Sequence, residues 1–257
     1  MLIDTHCHLT DERLAPEAEE IIASMSADGL EKLITVGYDR ESSFGGLAIA
    51  RAHDNVYCTV GIHPHEASSA TAELYGEFAA AAADAKTVGI GEIGLDYYYD
   101  LSPRDVQRRV FAEQIELAYS CRLPVCLHVR DAYEDCRRIL EENKSRLAYG
   151  VLLHCYSGSA EMVKVFSRYD AYFAFGGAIT FKNARHNLEA LAAVPYDRLL
   201  LETDCPYMTP APYRGRTNYP RYVALVAGKT AETTGRTAEE IAETTSRNAK
   251  TLFGKMK

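Results

Sequence analysis

Histidines occupy positions in this sequence from which several of them could bind one metal ion. Six of the eight histidines follow runs of apolar and β-branched residues that predict strands. The first run ends in His6-Cys7-His8, and residues two apart on a strand point to the same face. Neutral imidazole is a preferred ligand of zinc and other first-row divalent ions. The pair therefore predicts a metal site, the alternative being a hydrogen-bonded pair of core histidines.

Carboxylates at two further predicted strand ends could complete such a site. Glu92 lies in an apolar, glycine-flanked run over residues 89–95, and a buried carboxylate is costly unless it is paired or binds a cation. We expect Glu92 to bridge two cations, the alternative being a buried ion pair with an arginine. The last predicted strand leads into Asp204, which could bind a metal and also take a proton from metal-bound water.

The fifth and sixth predicted strands end in histidine. Taken alone, His128 or His154 is more typical of a hydrogen-bonded core histidine than of a ligand. Taken together, the candidate ligands come from five strand ends: His6, His8, Glu92, His128, His154 and Asp204. Six ligands exceed the need of one tetrahedral ion, so the sequence predicts two divalent cations that share Glu92 and activate a hydroxide. Asp204 is the expected general base, and Glu92 is the second predicted catalytic residue.

Four residues near these positions are candidates for substrate binding. Arg130 follows one predicted ligand by two residues and Glu202 precedes another by two, so each shares a face with that ligand. His63 could donate a hydrogen bond to a phosphate oxygen, or it could be an ordinary loop histidine. Arg214 lies in a proline-rich loop that also carries tyrosines. Arginine suits bidentate phosphate contact, and the alternative is a solvated charged loop.

The elements that must position these residues alternate along the chain. Predicted strands span residues 2–8, 32–38, 56–63, 87–95, 124–129, 150–155, 171–179 and 198–203. Predicted helices span residues 16–27, 42–53, 72–83, 103–121, 133–143, 160–168, 184–193 and 219–233, with a last helix at 238–253. This alternation predicts the α/β class and a single (β/α)8 TIM-type barrel with an extra C-terminal helix. An open doubly wound sheet is the alternative, although the first strand lacks the glycine pattern of dinucleotide-binding folds.

Length and composition agree with one hydrolase-type domain over residues 1–257. A TIM-type barrel typically needs about 250 residues, and the chain has 257, of which 47% are hydrophobic and 25% charged. The seven cysteines are odd in number and form no Cys-x-x-Cys pair, which is typical of reduced thiols in a cytosol. We find neither a signal peptide nor about 18 consecutive apolar residues. The sequence therefore predicts a cytoplasmic protein without membrane contact.

The formal net charge of −8 is a mild argument against a protein that coats nucleic acid, because phosphate binding favours a basic surface. Bound divalent ions would reverse the field at the site, and the sequence charge does not include them. The charge alone therefore does not exclude a nucleic-acid substrate.

The sequence resembles the TatD family of metal-dependent deoxyribonucleases, within the amidohydrolase-like barrels. The motifs that carry the resemblance are Asp4-Thr5-His6-Cys7-His8, Gly61-Ile62-His63-Pro64-His65, Gly91-Glu92-Ile93-Gly94-Leu95-Asp96-Tyr97, residues 124–130, His154-Cys155-Tyr156-Ser157-Gly158, residues 202–206 and residues 214–220. They cover essentially the whole chain. The resemblance implies a (β/α)8 barrel in which His6, His8, Glu92 and Asp204 hold one ion. It implies that Glu92, His128 and His154 hold the other, and that the substrate is DNA, cleaved in the manner of a 3′–5′ exonuclease.

Three functions remain open from the sequence. The first is a two-metal phosphodiesterase that acts on DNA or RNA, and the second is a hydrolase of a small-molecule ester, amide or lactone. The third, a non-enzymatic scaffold, is disfavoured because clustered histidines and buried carboxylates are costly to keep without an ion. The ligand set suits zinc, manganese, cobalt or nickel, and magnesium less well. No obligate protein partner is expected.

Overall fold

The strands of this protein form one parallel sheet in chain order, as a computed structural model of residues 1–256 shows. Lys257, the last residue of the predicted domain, lies outside the described residues. The strands are β1 (Leu2–Cys7), β2 (Leu30–Val36), β3 (Val56–Val60), β4 (Thr87–Asp96), β5 (Val125–Arg130), β6 (Val151–Leu153), β7 (Tyr172–Phe175) and β8 (Leu199–Leu201). They are nearly continuous apolar runs because both of their faces are covered.

Helices connect successive strands and pack on the outside of the sheet. They are α1 (Ala18–Ser24), α2 (Arg40–Ala52), α3 (Ala72–Ala82), α4 (Arg104–Cys121), α5 (Tyr133–Glu142), α6 (Ala160–Phe166), α7 (Arg185–Ala193), α8 (Val223–Thr234) and α9 (Ala238–Leu252). Eight strand–helix units followed by α9 confirm the predicted (β/α)8 barrel with an extra C-terminal helix. Within residues 1–256, no helix combines the length and the apolar character needed to cross a membrane.

The barrel closes where β8 returns to β1. The backbone N–H of His8 donates to the carbonyl of Cys205 at 2.8 Å, and the N–H of Asp204 donates to the carbonyl of His6 at 2.9 Å. Asp4 reinforces this seam, since its carboxylate accepts hydrogen bonds from the backbone N–H and the hydroxyl of Thr203, at 2.9 and 2.6 Å. The seam therefore holds the end of β1 beside the loop after β8.

Side chains fill the interior of the barrel. The strand residues of this inner cluster are Ile3, Ile34, Val36, Tyr57, Val88, Cys126, Leu152, Tyr172, Ala174 and Leu200. The end of α9 joins the same cluster through Leu252, and Phe253 and Met256 follow it. The barrel is therefore a packed core without a pore, as is usual for this fold. A functional site must lie at its mouth.

Several elements differ from their predicted limits. Strand β7 ends at Phe175, four residues early, and a short 3₁₀ turn follows at Gly177–Thr180. The chain turns there because Gly177 packs against the loop after β8, where a Cβ would lie 1.9 Å from the carbonyl oxygen of Met208. Helix α8 begins at Val223, after a 3₁₀ turn at Pro220–Tyr222, and not at residue 219.

Candidate metal centre at the mouth of the barrel

The two carboxylate oxygens of Glu92 face two different pairs of imidazoles. Oε2 lies 3.4 Å from Nε2 of His6 and 3.9 Å from Nε2 of His8. Oε1 lies 2.8 Å from Nδ1 of His128 and 2.7 Å from Nε2 of His154. The side chain of Glu92 is only 5% exposed. One buried carboxylate thus presents one oxygen to each pair, which is the arrangement expected of a group that bridges two cations.

Asp204 belongs to the first of these two groups. Its Oδ1 lies 3.4 Å from Nε2 of His8 and 3.7 Å from Nε2 of His6, and the two imidazole nitrogens are 3.2 Å apart. The structure therefore brings together every residue predicted as a metal ligand: His6, His8, Glu92, His128, His154 and Asp204.

The spacing of these atoms fits divalent cations. Ligand atoms about 2.1 Å from an ion and arranged tetrahedrally lie about 3.4 Å from one another. In the first group, the Nε2 atoms of His6 and His8 lie 3.2 Å apart, and each lies 3.4–3.9 Å from the facing oxygens of Glu92 and Asp204. The donor set is nitrogen and oxygen, which suits zinc and other first-row divalent ions.

Glu202 lies behind the imidazoles and not at the open mouth. Its carboxylate is completely buried, with Oε1 3.5 Å from Nδ1 of His154, and it accepts the backbone N–H of Cys155 at 2.6 Å. Oε2 of Glu202, Nδ1 of His6 and Nδ1 of His154 are buried without a hydrogen-bond partner. A substrate could not reach this carboxylate, which corrects the predicted substrate contact of Glu202. Its carboxylate lies against the imidazole of His154 from behind, where it limits the orientation of that ring.

Asp96 lies behind the second group of proposed ligands, which consists of Glu92, His128 and His154. Its Oδ2 lies 3.2 Å from Nε2 of His128 and 2.9 Å from Nε2 of His65. Its Oδ1 accepts the backbone N–H groups of Tyr98 and Tyr99, at 2.9 and 2.8 Å. Burial alone would raise the pKa of Asp96, but these hydrogen bonds hold it well below its usual value. Asp96 is therefore an ionised acceptor that links the site to the loop after β4.

Sequence reasoning assigned no role to Asp96 or to Asp4. Residues 92, 94 and 96 share one face of β4, so the position of Asp96 relative to Glu92 was a usable signal. The position of Asp4 two residues before His6 was a similar signal for the seam contact. In both cases the sequence predicts which face of the strand the aspartate lies on, but its hydrogen-bond partner depends on the fold.

His63 lies within the second group. Its Nε2 is 3.6 Å from Oε1 of Glu92, and its Nδ1 accepts the backbone N–H of His65 at 3.1 Å. Burial holds the pKa of His63 well below the usual value of 6.5. The neutral ring must then carry its hydrogen on Nε2, so His63 presents an N–H donor to the site.

The charge of Glu92 is maintained by its surroundings. Burial alone would raise its pKa, but the charge of the His154 imidazole and the hydrogen bond with His128 hold the pKa well below its usual value. Burial likewise lowers the pKa of His6. Both residues are thereby kept in the deprotonated state that a metal ligand requires.

The two predicted arginine contacts differ in their distance from the site. Arg130 lies at the mouth, with its guanidinium 3.9 Å from the ring centroid of Tyr98 and 4.8 Å from that of Tyr99. Arg214 stacks instead on Phe181, at 4.1 Å, and makes no contact with the imidazole cluster in the described structure.

An eight-stranded barrel with a histidine–carboxylate cluster at the C-terminal ends of its strands defines the class of metal-dependent hydrolases with a TIM-type fold. Comparison with known proteins then gives the family: the model of the TatD related DNase family matches residues 3–254. The chain therefore belongs to the TatD family and is a metal-dependent hydrolase.

Relatives extend over the full length of the chain. The metal-dependent hydrolase YabD of Bacillus subtilis is 43% identical over 98% of this chain and 99% of its own. The 3′-5′ ssDNA/RNA exonuclease TatD of Escherichia coli K12 is 31% identical over 98% of this chain and 99% of its own. The crystal structure of YJJV, a TatD homologue from Escherichia coli K12, superposes with a TM-score of 0.92, 30% identity and 98% coverage of each chain.

Proposed function

We propose that this protein hydrolyses phosphodiester bonds in DNA with two divalent cations and releases nucleotides from the 3′ end of a strand. The observation that carries the proposal is the division of Glu92 between two imidazole pairs. In this proposal His6, His8, Glu92 and Asp204 hold one cation, and Glu92, His128 and His154 hold the other. Bound cations would stabilise the negative charge that develops on the phosphoryl oxygens and lower the pKa of the attacking water.

Asp204 is the proposed general base. Its side chain is 15% exposed, against 5% for Glu92, so it has the better access to a water at the mouth. Burial would raise its pKa, but a hydrogen bond with His8 and the charges of nearby imidazoles lower it. Asp204 is thus ionised and able to accept a proton from the attacking water.

His63 and Arg130 are the proposed substrate contacts closest to the cluster. The Nε2–H of His63 would donate to a non-bridging phosphate oxygen, because its Nδ1 is already occupied by the N–H of His65. Arg130 follows His128 on the same strand and would contact the substrate beside it. We assign Glu202 an orienting role, and Arg214 a contact with a more distant part of the strand.

Single-stranded DNA is the proposed form of the substrate, with RNA as a second possible polymer. Support comes from the relative in Escherichia coli whose name specifies single-stranded DNA and RNA. That name alone does not establish the activity of this chain, because YabD, which has the higher identity, is described only as a metal-dependent hydrolase.

The test is hydrolysis of end-labelled single-stranded DNA by purified protein, with magnesium, manganese or zinc and with a chelator. The rate of the Glu92→Gln variant should be at least about a thousandfold lower, because a neutral amide cannot replace the carboxylate that both cations would share. The position of the label gives the polarity. A Glu73→Gln variant, which changes an exposed carboxylate on α3, is the matched control.

Metal-dependent release of mononucleotides by the wild type and by Glu73→Gln, but not by Glu92→Gln, supports the proposal. Equal release by Glu92→Gln identifies a contaminating nuclease. Absence of release with every metal overturns the proposal.

A second candidate function is hydrolysis of a small-molecule ester, amide or lactone at the same site. The net charge of −8 favours it, since a small substrate needs no basic surface. Turnover of such compounds in the absence of any phosphodiesterase activity would select this candidate.

A further inference from the structure

We infer that Tyr98, Tyr99 and Arg130 form a stacking surface for the unpaired nucleobases next to the bond that is cut. This inference rests on the proposed function and adds to it the feature of the substrate that is recognised. The surface, called here the stacking surface, consists of the two tyrosine rings, which meet edge to face with 4.9 Å between centroids, and the guanidinium of Arg130 beside them.

Exposed apolar side chains are concentrated at the mouth of the barrel. Nine large apolar residues are well exposed among the residues described, and six of them lie in the loops after β4 and β8. These six are Tyr98, Tyr99, Leu101, Tyr207, Met208 and Tyr213. Tyr98 and Tyr99 are 58% and 54% exposed. A solvent-exposed aromatic pair at the mouth is typical of a binding surface and not of core packing.

The stacking surface is held in place by the site itself. Both tyrosine N–H groups donate to Oδ1 of Asp96, whose other oxygen faces His128 and His65. The ring of Tyr99 lies against that of His65, with 5.4 Å between centroids. One buried carboxylate therefore contacts the proposed cation ligand His128 and also fixes the backbone that carries the exposed rings. A strand whose phosphate lies at the cluster would have its base at these rings.

Arg130 gives the surface the chemistry of a nucleobase site. Its planar guanidinium lies 3.9 Å from the centroid of Tyr98, at cation–π distance. No ion pair of Arg130 with a carboxylate occurs in the described part of the chain, so its charge remains available to a phosphate or a base edge. Stacking on aromatic rings tolerates every base, because each base has a π-face. This mode of binding also agrees with the net charge of −8.

The experiment measures kcat/KM on two single-stranded oligonucleotides of equal length, one normal and one abasic at its 3′-terminal positions. Tyr98→Ala and Tyr99→Ala should each lower kcat/KM on the normal oligonucleotide on the order of tenfold. The same variants should change kcat/KM on the abasic oligonucleotide far less, because the interaction is already lost. Tyr98→Phe and Tyr99→Phe should restore the wild-type values, since the ring suffices for stacking.

Tyr119→Ala is the matched control. Tyr119 is 41% exposed and contacts Tyr149, with 5.9 Å between ring centroids, but it lies in the last turn of α4, at the opposite end of the barrel. It should behave as the wild type on both oligonucleotides.

The outcomes separate the inference from the proposed function. If the wild type cleaves oligonucleotides and both alanine variants match it, the stacking surface is overturned and the proposed function stands. If the alanine variants lower kcat/KM equally on normal and abasic oligonucleotides, the rings do not bind bases and the inference is also overturned. If the wild type cleaves no oligonucleotide, the proposed function falls and the inference with it.

Discussion

Asp96 shows how much of the site depends on residues behind the proposed ligands. The ring of His128 lies between two carboxylates, with Nε2 facing Asp96 and Nδ1 facing Glu92. With a cation bound, the N–H would stay on Nε2 toward Asp96 and Nδ1 would be the ligand atom. Asp96 also accepts from His65, and an ionised carboxylate can accept both hydrogen bonds. The orientation of His128 therefore depends on a charged residue that would not touch the cation.

Asp96→Asn tests this dependence directly. An amide nitrogen in the place of Oδ2 cannot accept an imidazole N–H, so both histidines lose their acceptor. We expect zinc or manganese affinity at the second group to fall about 10- to 100-fold, measured by competition with a chromophoric chelator. Asp100→Asn, in the same loop but exposed and paired with Arg104, should bind metal as the wild type does. Unchanged affinity in Asp96→Asn would show that His128 is oriented by other contacts.

Asp11 gives a prediction on pH at the other side of the mouth. Hydrogen bonds from Arg13 and Tyr207 lower its pKa to about 2 in the folded state, from an ordinary value of 3.8. The depressed pKa means that ionised Asp11 stabilises the fold above about pH 4, and that this stabilisation is lost as pH falls toward 2.

We therefore expect Asp11→Asn to lower the free energy of unfolding by about 1 kcal/mol at pH 7. The difference from the wild type should shrink between about pH 4 and pH 2, as followed by urea denaturation at each pH. A difference that stays constant over this range would mean that the charge of Asp11 does not contribute.

Residue types and the two-residue period of a strand were enough to predict the ligand cluster. His6 and His8 share a face as the period requires, and their Nε2 atoms lie 3.2 Å apart. The same reasoning gave Glu202 its face but not its depth, because Glu202 lies one layer below the mouth, where its carboxylate faces His154 and is completely buried. It also could not place Arg214, since its position depends on a loop conformation that no periodicity encodes.

At the scale of elements, β4 carries the site because its glycines let the neighbouring strand come close. Gly94 has a φ of +135°, and a Cβ there would lie 2.1 Å from the carbonyl oxygen of His128. The close approach of β4 to β5 sets the distance between Glu92 and His128. A side chain at position 94 would push the two strands apart.

Gly94→Ala should therefore lower the free energy of unfolding by roughly 2 kcal/mol or more, since both the φ and the contact are unfavourable. Gly76→Ala is the matched control, because Gly76 lies in α3 with open space around it. It should stabilise the protein by about 0.5–1 kcal/mol. Chemical denaturation of both variants measures the two effects. If Gly94→Ala is as stable as the wild type, β4 and β5 can move apart without lowering the free energy of unfolding.

Helix starts illustrate which local signals were sufficient. Thr237 and Glu240 form a capping box at the start of α9, with both reciprocal hydrogen bonds present. The Thr-x-x-Glu pattern is a sufficient signal because both partners lie within one turn. Ser102 precedes Pro103, a position at which serine often caps a helix, but its hydroxyl donates to the carbonyl of His65 at 2.8 Å. Helix α4 begins at Arg104 without a side-chain cap. A long-range partner competed with the local one.

At the scale of the whole molecule, the barrel gathers ligands from strand ends that are far apart in sequence. His6 and Asp204 are separated by nearly the full chain, yet they meet because β8 closes onto β1. This meeting was predictable from the count of strand–helix units, since eight parallel strands close and an open sheet would leave β1 and β8 apart. The distances within the cluster were not predictable, because they depend on packing within the barrel.

The overall charge leads to the last prediction, which concerns salt. A protein that neutralises 6–10 phosphates loses about 10³–10⁵ in affinity between roughly 50 and 200 mM salt. This chain has a net charge of −8, and the stacking surface binds through rings, so contacts with only two or three phosphates are expected. For single strands, the slope of log affinity against log salt concentration is about 0.7 per phosphate. The KM for an oligonucleotide should therefore rise only roughly tenfold over that range.

Steady-state kinetics at several potassium chloride concentrations measures this rise in KM, with a small phosphodiester as a control for salt effects on the cation site. A rise of several hundredfold with the oligonucleotide alone would mean that an extended phosphate-binding surface dominates, and that stacking is the minor contribution.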